Sequence, residues 1–125
     1  MLFDTEFIIA LSRGESSAAR KGAERFLFEN DAPLFTSRVC WAEVAEGHEN
    51  PAATHGLLRG FAIVEIDEAV AWEASRIGRE LKRKGLHIGD NDVWVAASAV
   101  AHGLPLVSNN AKHFKRIPSL RVLGY

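Results

Sequence analysis

The stretch DNDVWVAASAVAHGLPLV, residues 90–107, decides the fold class of this 125-residue chain. Asp92 to His102 is predicted as a helix, because an alanine-rich apolar run follows an acidic start and Gly103 supplies the stop. Leu104 to Val107 follows at once as a short buried strand. A helix that delivers the chain into an apolar strand through so short a turn belongs to a βαβ arrangement, and hence to a sheet whose centre is parallel.

Reading outward from there, the same alternation continues. Upstream, Val70, Ala74, Ile77 and Leu81 recur at helical spacing after an Asp67 cap, and Lys82, Arg83, Lys84 and Gly85 close that helix. Phe61 to Ile66 precedes it as a strand. Arg38 to Glu49 reads as a helix ended by Asn50-Pro51, and Leu34 to Ser37 as the strand before it. Asn30 to Pro33 is a turn, and Ser16 or Ser17 caps a helix running to Glu29, with Ala19, Ala23, Phe26 and Leu27 on one face. Leu2 to Ile9 is expected to start as a short buried strand, with the acidic Asp4 breaking the apolar run at or just beyond the strand's end, and Arg121 to Leu123 to form a last edge strand. The expected fold is α/β: three layers, α/β/α, around a central, mainly parallel sheet. No linker or repeat interrupts the chain, so residues 1–125 are expected to form one domain.

Composition narrows the function classes. A hydrophobic fraction of 47% and a charged fraction of 25% suit a chain with a real core. No apolar run reaches the ~20 residues a membrane helix needs. The first apolar run has no basic segment before it and is interrupted by Asp4 and Glu6, so no signal peptide is expected. Cys40 is the sole cysteine, which excludes an internal disulfide and a cysteine zinc cluster and favours a reducing cytoplasm. The net charge of −1 hides a polarised chain. Residues 1–35 carry four basic and six acidic side chains, residues 36–75 two and seven, and residues 76–125 nine and three. Such a chain can set a basic surface beside an acidic one.

Ligands of an open α/β sheet bind beyond the carboxyl ends of its strands. Asp4 stands at the end of the first strand, Glu43 lies in the helix after the second, and Asp90 and Asp92 begin the helix before Leu104. The loop after Val107 holds Ser108, Asn109, Asn110 and His113. Carboxylates gathered on one rim repel one another unless a cation joins them. An all-oxygen set suits Mg²⁺ or Mn²⁺ rather than zinc. Such an ion can activate water and neutralise charge on a phosphodiester, while basic side chains hold the backbone. Taken singly, each acid also has an ordinary reading, as a solvated helix residue or a charge favoured by a helix dipole; an unpaired carboxylate within the apolar run around Asp4 is the hardest to explain that way.

Four ordered segments carry a family resemblance. They are Phe3-Asp4-Thr5; Thr36-Ser37 with Trp41-Ala42-Glu43-Val44; Ile88 to Ala97; and His102 to Asn110 continuing to His113-Phe114. Together they resemble a PIN-domain ribonuclease, and within that group the VapC-type toxins of bacterial toxin–antitoxin modules. The resemblance implies a metal-dependent endoribonuclease in which Asp4, Glu43 and Asp92 bind Mg²⁺ or Mn²⁺, with Asp90 a candidate for a second ion. It also implies a VapB-like antitoxin, a homodimer, and a hetero-oligomer of toxin with antitoxin. Many relatives carry a fourth acid where this chain has His113, so Ser108, Asn109, Asn110 and His113 are expected to orient substrate, and a strong second metal site is not expected. Arg79, Lys82, Arg83, Lys112, Lys115 and Arg116 are the candidates for holding the RNA backbone. Two rivals are a PIN-like binding module without activity and a haloacid-dehalogenase-like phosphatase. The phosphatase chemistry wants a second Asp two residues after the first, where this chain has Glu6.

Overall fold

A computed structural model describes residues 1–125. The first strand, β1, is only Leu2–Phe3, and helix α1 spans Thr5–Leu11. The short strand at Leu2 ends just before Asp4, as expected, but the helix that follows at Thr5 is not among the expected elements. The cause is Asp4, whose Oδ1 accepts the Phe7 backbone N–H at 2.9 Å and caps a helix at that point. A carboxylate that satisfies an otherwise orphaned amide favours the helical start over continued extension. Phe7, Ile8 and Ala10 are then buried on α1.

The remaining elements are α2 (Ala18–Glu29), β2 (Phe35–Ser37), α3 (Arg38–Ala45), α4 (Pro51–Leu57), β3 (Ala62–Val64), α5 (Glu68–Arg83), α6 (Asp90–Ala101), β4 (Leu106–Val107), α7 (Ala111–Phe114) and β5 (Val122–Leu123). Strands β2 to β5 are each one to three residues shorter than expected, and four helical features also differ from expectation. Helix α3 stops at Ala45, short of Glu49. Asn50-Pro51 starts a helix rather than ending one, since Asn50 Oδ1 accepts the Ala53 amide and Pro51 occupies the first turn, where its missing N–H costs nothing. Helix α6 begins at Asp90 rather than Asp92. The loop after β4 contains the four-residue α7.

All five strands join one sheet in the order β3-β2-β1-β4-β5, and every pairing is parallel. Side chains alternate across it. Leu2 and Leu106 enter a core with Val70, Ala74, Ile77 and Leu81 of α5 and Val95, Ala96 and Ala99 of α6. Phe3 and Val107 enter a second core with Phe7 of α1 and Ala23 and Phe26 of α2. Both faces of the sheet are covered, which is why its strands read as unbroken apolar runs. The apolar stripe expected on α5 is the one buried. Phe26 is buried and its near neighbour Phe28 is 91% exposed, as two aromatics on opposite sides of one helix must be. Gly85 and Gly103, at φ +65° and +63°, end α5 and α6 in the left-handed turn that glycine adopts without strain.

Candidate active site

The strand order reverses between β1 and β4: the chain leaves β1 toward β2 and β3 on one side, and later fills β4 and β5 on the other. In doubly wound sheets the crevice at that reversal is the binding position. Asp4 and Ser108 stand just past the carboxyl ends of these two strands. A cleft of about 210 Å³ opens there, bordered by Asp4, Glu43 and Asp92, with Thr5, Asn110 and Phe114 also on its wall.

Three different elements bring the acids in. Asp4 comes from the cap of α1, Glu43 from the second turn of α3, and Asp92 from the first turn of α6. Thr5 Oγ1 donates to Glu43 Oε1 at 2.7 Å and ties the first two elements together. Glu6 also lines the cleft, and no lysine or arginine does. Asp4 is only 8% exposed. Its burial pushes the carboxyl above the usual carboxylate range; hydrogen bonding to Ser108 and the Phe7 amide pulls it back, and the charges of Glu6 and Asp92 push it further up. No three acidic, histidine or cysteine side chains stand close enough to form a ready-made ion cage. A cluster of acids with oxygen donors, no cationic partner and one carboxyl already strained by desolvation nevertheless fits a hard divalent cation.

Asp4 also sets a pH dependence. With a folded-state pKa above the unfolded one, the native protein holds this proton more tightly. The stability gained is full below the unfolded-state pKa and is lost as pH rises through the folded value. In EDTA, Asp4→Asn keeps a good helix cap and is expected to melt higher than wild type at neutral pH, with the gap closing toward about pH 4. Thermal melts across that range check this, and a gap independent of pH would contradict it.

The PIN domain family pattern matches residues 1–120 of this chain. The chain belongs to the PIN domain family. Among curated PIN relatives, the tRNA(fMet)-specific endonuclease VapC of Salmonella typhimurium is 33% identical over 101 residues, covering 71% of this chain and 76% of that protein. The protein of the same name from Shigella flexneri is 29% identical over 127 residues, covering 96% and 93%. In three dimensions the chain is similar to the structure described as DNA-bound VapBC from Salmonella typhimurium, with TM-score 0.82, 27% identity and coverage of 98% and 96%. The PIN chain is thus one of the VapC ribonucleases, the toxins of toxin–antitoxin systems.

Within this PIN fold the expected site residues divide. Asp4, Glu43, Asp92 and Asn110 share the cleft. Asp90 does not: it lines a separate groove between α5 and α6 with Arg79, Lys82 and Trp94. Two residues along a helix turn a side chain by about 200°, so Asp90 and Asp92 face different ways. Ser108 is fully buried beneath the site, its hydroxyl accepting the Asn110 amide at 3.0 Å, and Asn109 Oδ1 accepts the Tyr125 amide at 2.8 Å outside the acidic cleft. Neither is turned toward a substrate in that cleft. His113 Nδ1 lies 3.4 Å from Asp92 Oδ2 and 3.2 Å from Asn110 Nδ2, so the histidine at the usual fourth-acid position touches a cleft carboxylate. Of the basic candidates, Arg83 is held by Glu80 and Arg116 by the His87 carbonyl. Arg79, Lys82, Lys112 and Lys115 make no ion pair. Sequence reasoning gave no role to Thr5 beyond its place in the motif, and Glu6 entered only as a break in the first apolar run and as a mismatch to the phosphatase pattern, not as part of the site. Their signal was adjacency to Asp4 at the start of a helix.

Proposed function

We propose that this PIN-domain chain is a Mg²⁺- or Mn²⁺-dependent endoribonuclease acting as the toxin of a toxin–antitoxin module, neutralised by a VapB-like antitoxin. The observation that carries this reading is the cleft at the sheet's reversal point, whose lining includes Asp4, Glu43 and Asp92 and no lysine or arginine. Asp4, Glu43 and Asp92 would hold the ion, which supplies Lewis acidity and a more acidic water when bound. The chain's own contribution is orientation. The cap bond to Phe7 fixes Asp4, the Thr5 hydroxyl fixes one oxygen of Glu43, and His113 with Asn110 fixes Asp92 from outside. Lys112 and Lys115 flank His113 in sequence and are exposed, well placed to draw phosphates toward the cleft. No helix is long and apolar enough to cross a membrane, and the reading places the protein in the cytoplasm, with a homodimer as its working form.

His113 brings a neutral or cationic ring where a fourth carboxylate would add negative charge, and Asp90 faces away. The RNA-free protein therefore binds one ion well. Calorimetric titration with Mn²⁺ is expected to fit a single site that disappears in an Asp4→Asn, Asp92→Asn double variant, with RNA cleavage following the same metal dependence. Two equally tight sites would overturn the one-ion assignment. Equal heats from wild type and double variant, with cleavage unaffected by EDTA, would overturn the metal-dependent nuclease.

A further inference from the structure

A second cleft, also of about 210 Å³, adjoins the acidic one and shares Glu6 with it as a common wall. Small residues open it: Ala10 on α1 faces Ala19 and Gly22 on α2, and a Cβ built at Gly22 would meet nothing within 4 Å. Its other walls are functional in type. Arg13 makes no ion pair, in contrast to Arg20, Arg38, Arg76 and Arg83. The Tyr125 ring is seated edge-on against Phe7 at 4.7 Å, and its backbone N–H is held by Asn109 Oδ1. Burial and the charges of Asp4 and Glu6 push the Tyr125 hydroxyl up to about 12, so it stays a neutral donor at physiological pH.

We propose that this second cleft is a nucleobase subsite for the residue next to the scissile phosphate, with guanine its best-fitting occupant. The assignment rests on the nuclease reading above, which puts a phosphodiester in the adjoining cleft. Single-stranded RNA is read by splaying bases against aromatic rings and bonding their edges. Glu6 offers two carboxylate acceptors that match the paired N–H donors of the guanine Watson–Crick edge. The Asn109 amide N–H, left free by the Oδ1 bond to Tyr125, and the Tyr125 hydroxyl are donors for its carbonyl oxygen. Arg13 at the rim is available to the neighbouring phosphate. A peptide helix would need a longer apolar trough than this short cleft, bordered by Glu6, Arg13 and Asn109 as well as by alanines, provides.

The test is fluorescence anisotropy in EDTA at low salt, using 2′-O-methyl uridine decamers that carry a central G, A, C or U. Wild type is expected to prefer the G oligonucleotide by about tenfold, the discrimination of one bidentate base contact. Glu6→Gln should abolish the preference while retaining affinity for the all-U decamer. Tyr125→Ala should weaken G binding, and Tyr125→Phe should restore most of it. Equal affinities, absence of binding to every decamer, or a preference that survives Glu6→Gln overturn the subsite. If Arg13→Ala and Tyr125→Ala weaken binding of a VapB-like antitoxin and leave RNA affinities alone, the cleft belongs to that protein and the proposal fails. The two readings fail separately: metal-dependent cleavage without base preference removes the subsite alone, and a Glu6-dependent preference without cleavage in any metal removes the nuclease alone.

Discussion

Asp92→Asn is expected to lose about 1,000-fold of ribonuclease activity or more while melting within a few degrees of wild type. Removing a group that merely orients a metal ligand already costs about 10–100-fold. Deleting the charge of a direct ligand, the role proposed for Asp92, should exceed that, and three orders of magnitude correspond to about 4 kcal/mol of lost transition-state stabilisation. The fold has little to lose. Asp92 is partly exposed, and its one side-chain partner is His113 at a long 3.4 Å, a contact worth at most about 1 kcal/mol. The same substitution removes a negative charge that pushes against Asp4. Cleavage of a defined RNA and a thermal melt on the same preparation decide the matter. A folded variant with undiminished cleavage would remove Asp92 from the site.

The largest stability effect is expected at Phe7. Its side chain is fully buried, 4.5 Å from the Phe3 ring, 6.0 Å from Phe26 and 4.7 Å from Tyr125. Phe7→Ala should cost about 3–5 kcal/mol through lost burial and the cavity left behind. For a domain of this size that is a fall of roughly 10–20 °C in melting temperature. The Phe7 amide is also the donor that fixes Asp4, so activity measured below the new melting point should fall too, as α1 loosens. Urea and thermal unfolding measure the first effect. A loss below about 1 kcal/mol would mean that the aromatic cluster does not hold α1 against the sheet.

How far the site was legible in the sequence depended on which force set each residue. Val70, Ala74, Ile77 and Leu81 could be read directly, because burial of one helix face leaves a period of 3.6. Asp4, Glu43 and Asp92 could be read as acids at strand ends or helix starts, and the family motifs gave them their order. The failures were local contests. From Thr5 to Leu11 the apolar residues suit a strand or a helix, and a single side-chain bond from Asp4 decides for the helix. Asp90 and Asp92 are equivalent by type, and only the turn of α6 between them sends one to the cleft and the other to the α5–α6 groove. Arg83 looked as available as Lys82 until its (i, i−3) partner Glu80 was seen to hold it. Periodicity reports burial; it does not report which polar groups have already been claimed.

The central place of β1 has a consequence for synthesis. Leu2 and Phe3 occupy the middle of the sheet, and one of their two neighbours, Leu106–Val107, lies 104 residues further along the chain. On the ribosome, Asp4 must therefore wait for β4 before the Val107 carbonyl accepts its amide and Ser108 comes up beneath its carboxyl. Asp92 itself is made 15 residues before Val107. A nascent fragment that ends before Asp92 thus has neither the floor nor the third wall of the cleft. The cleft can form only once β4 has been made and has paired with β1, so a chain that stops before Leu106 lacks it.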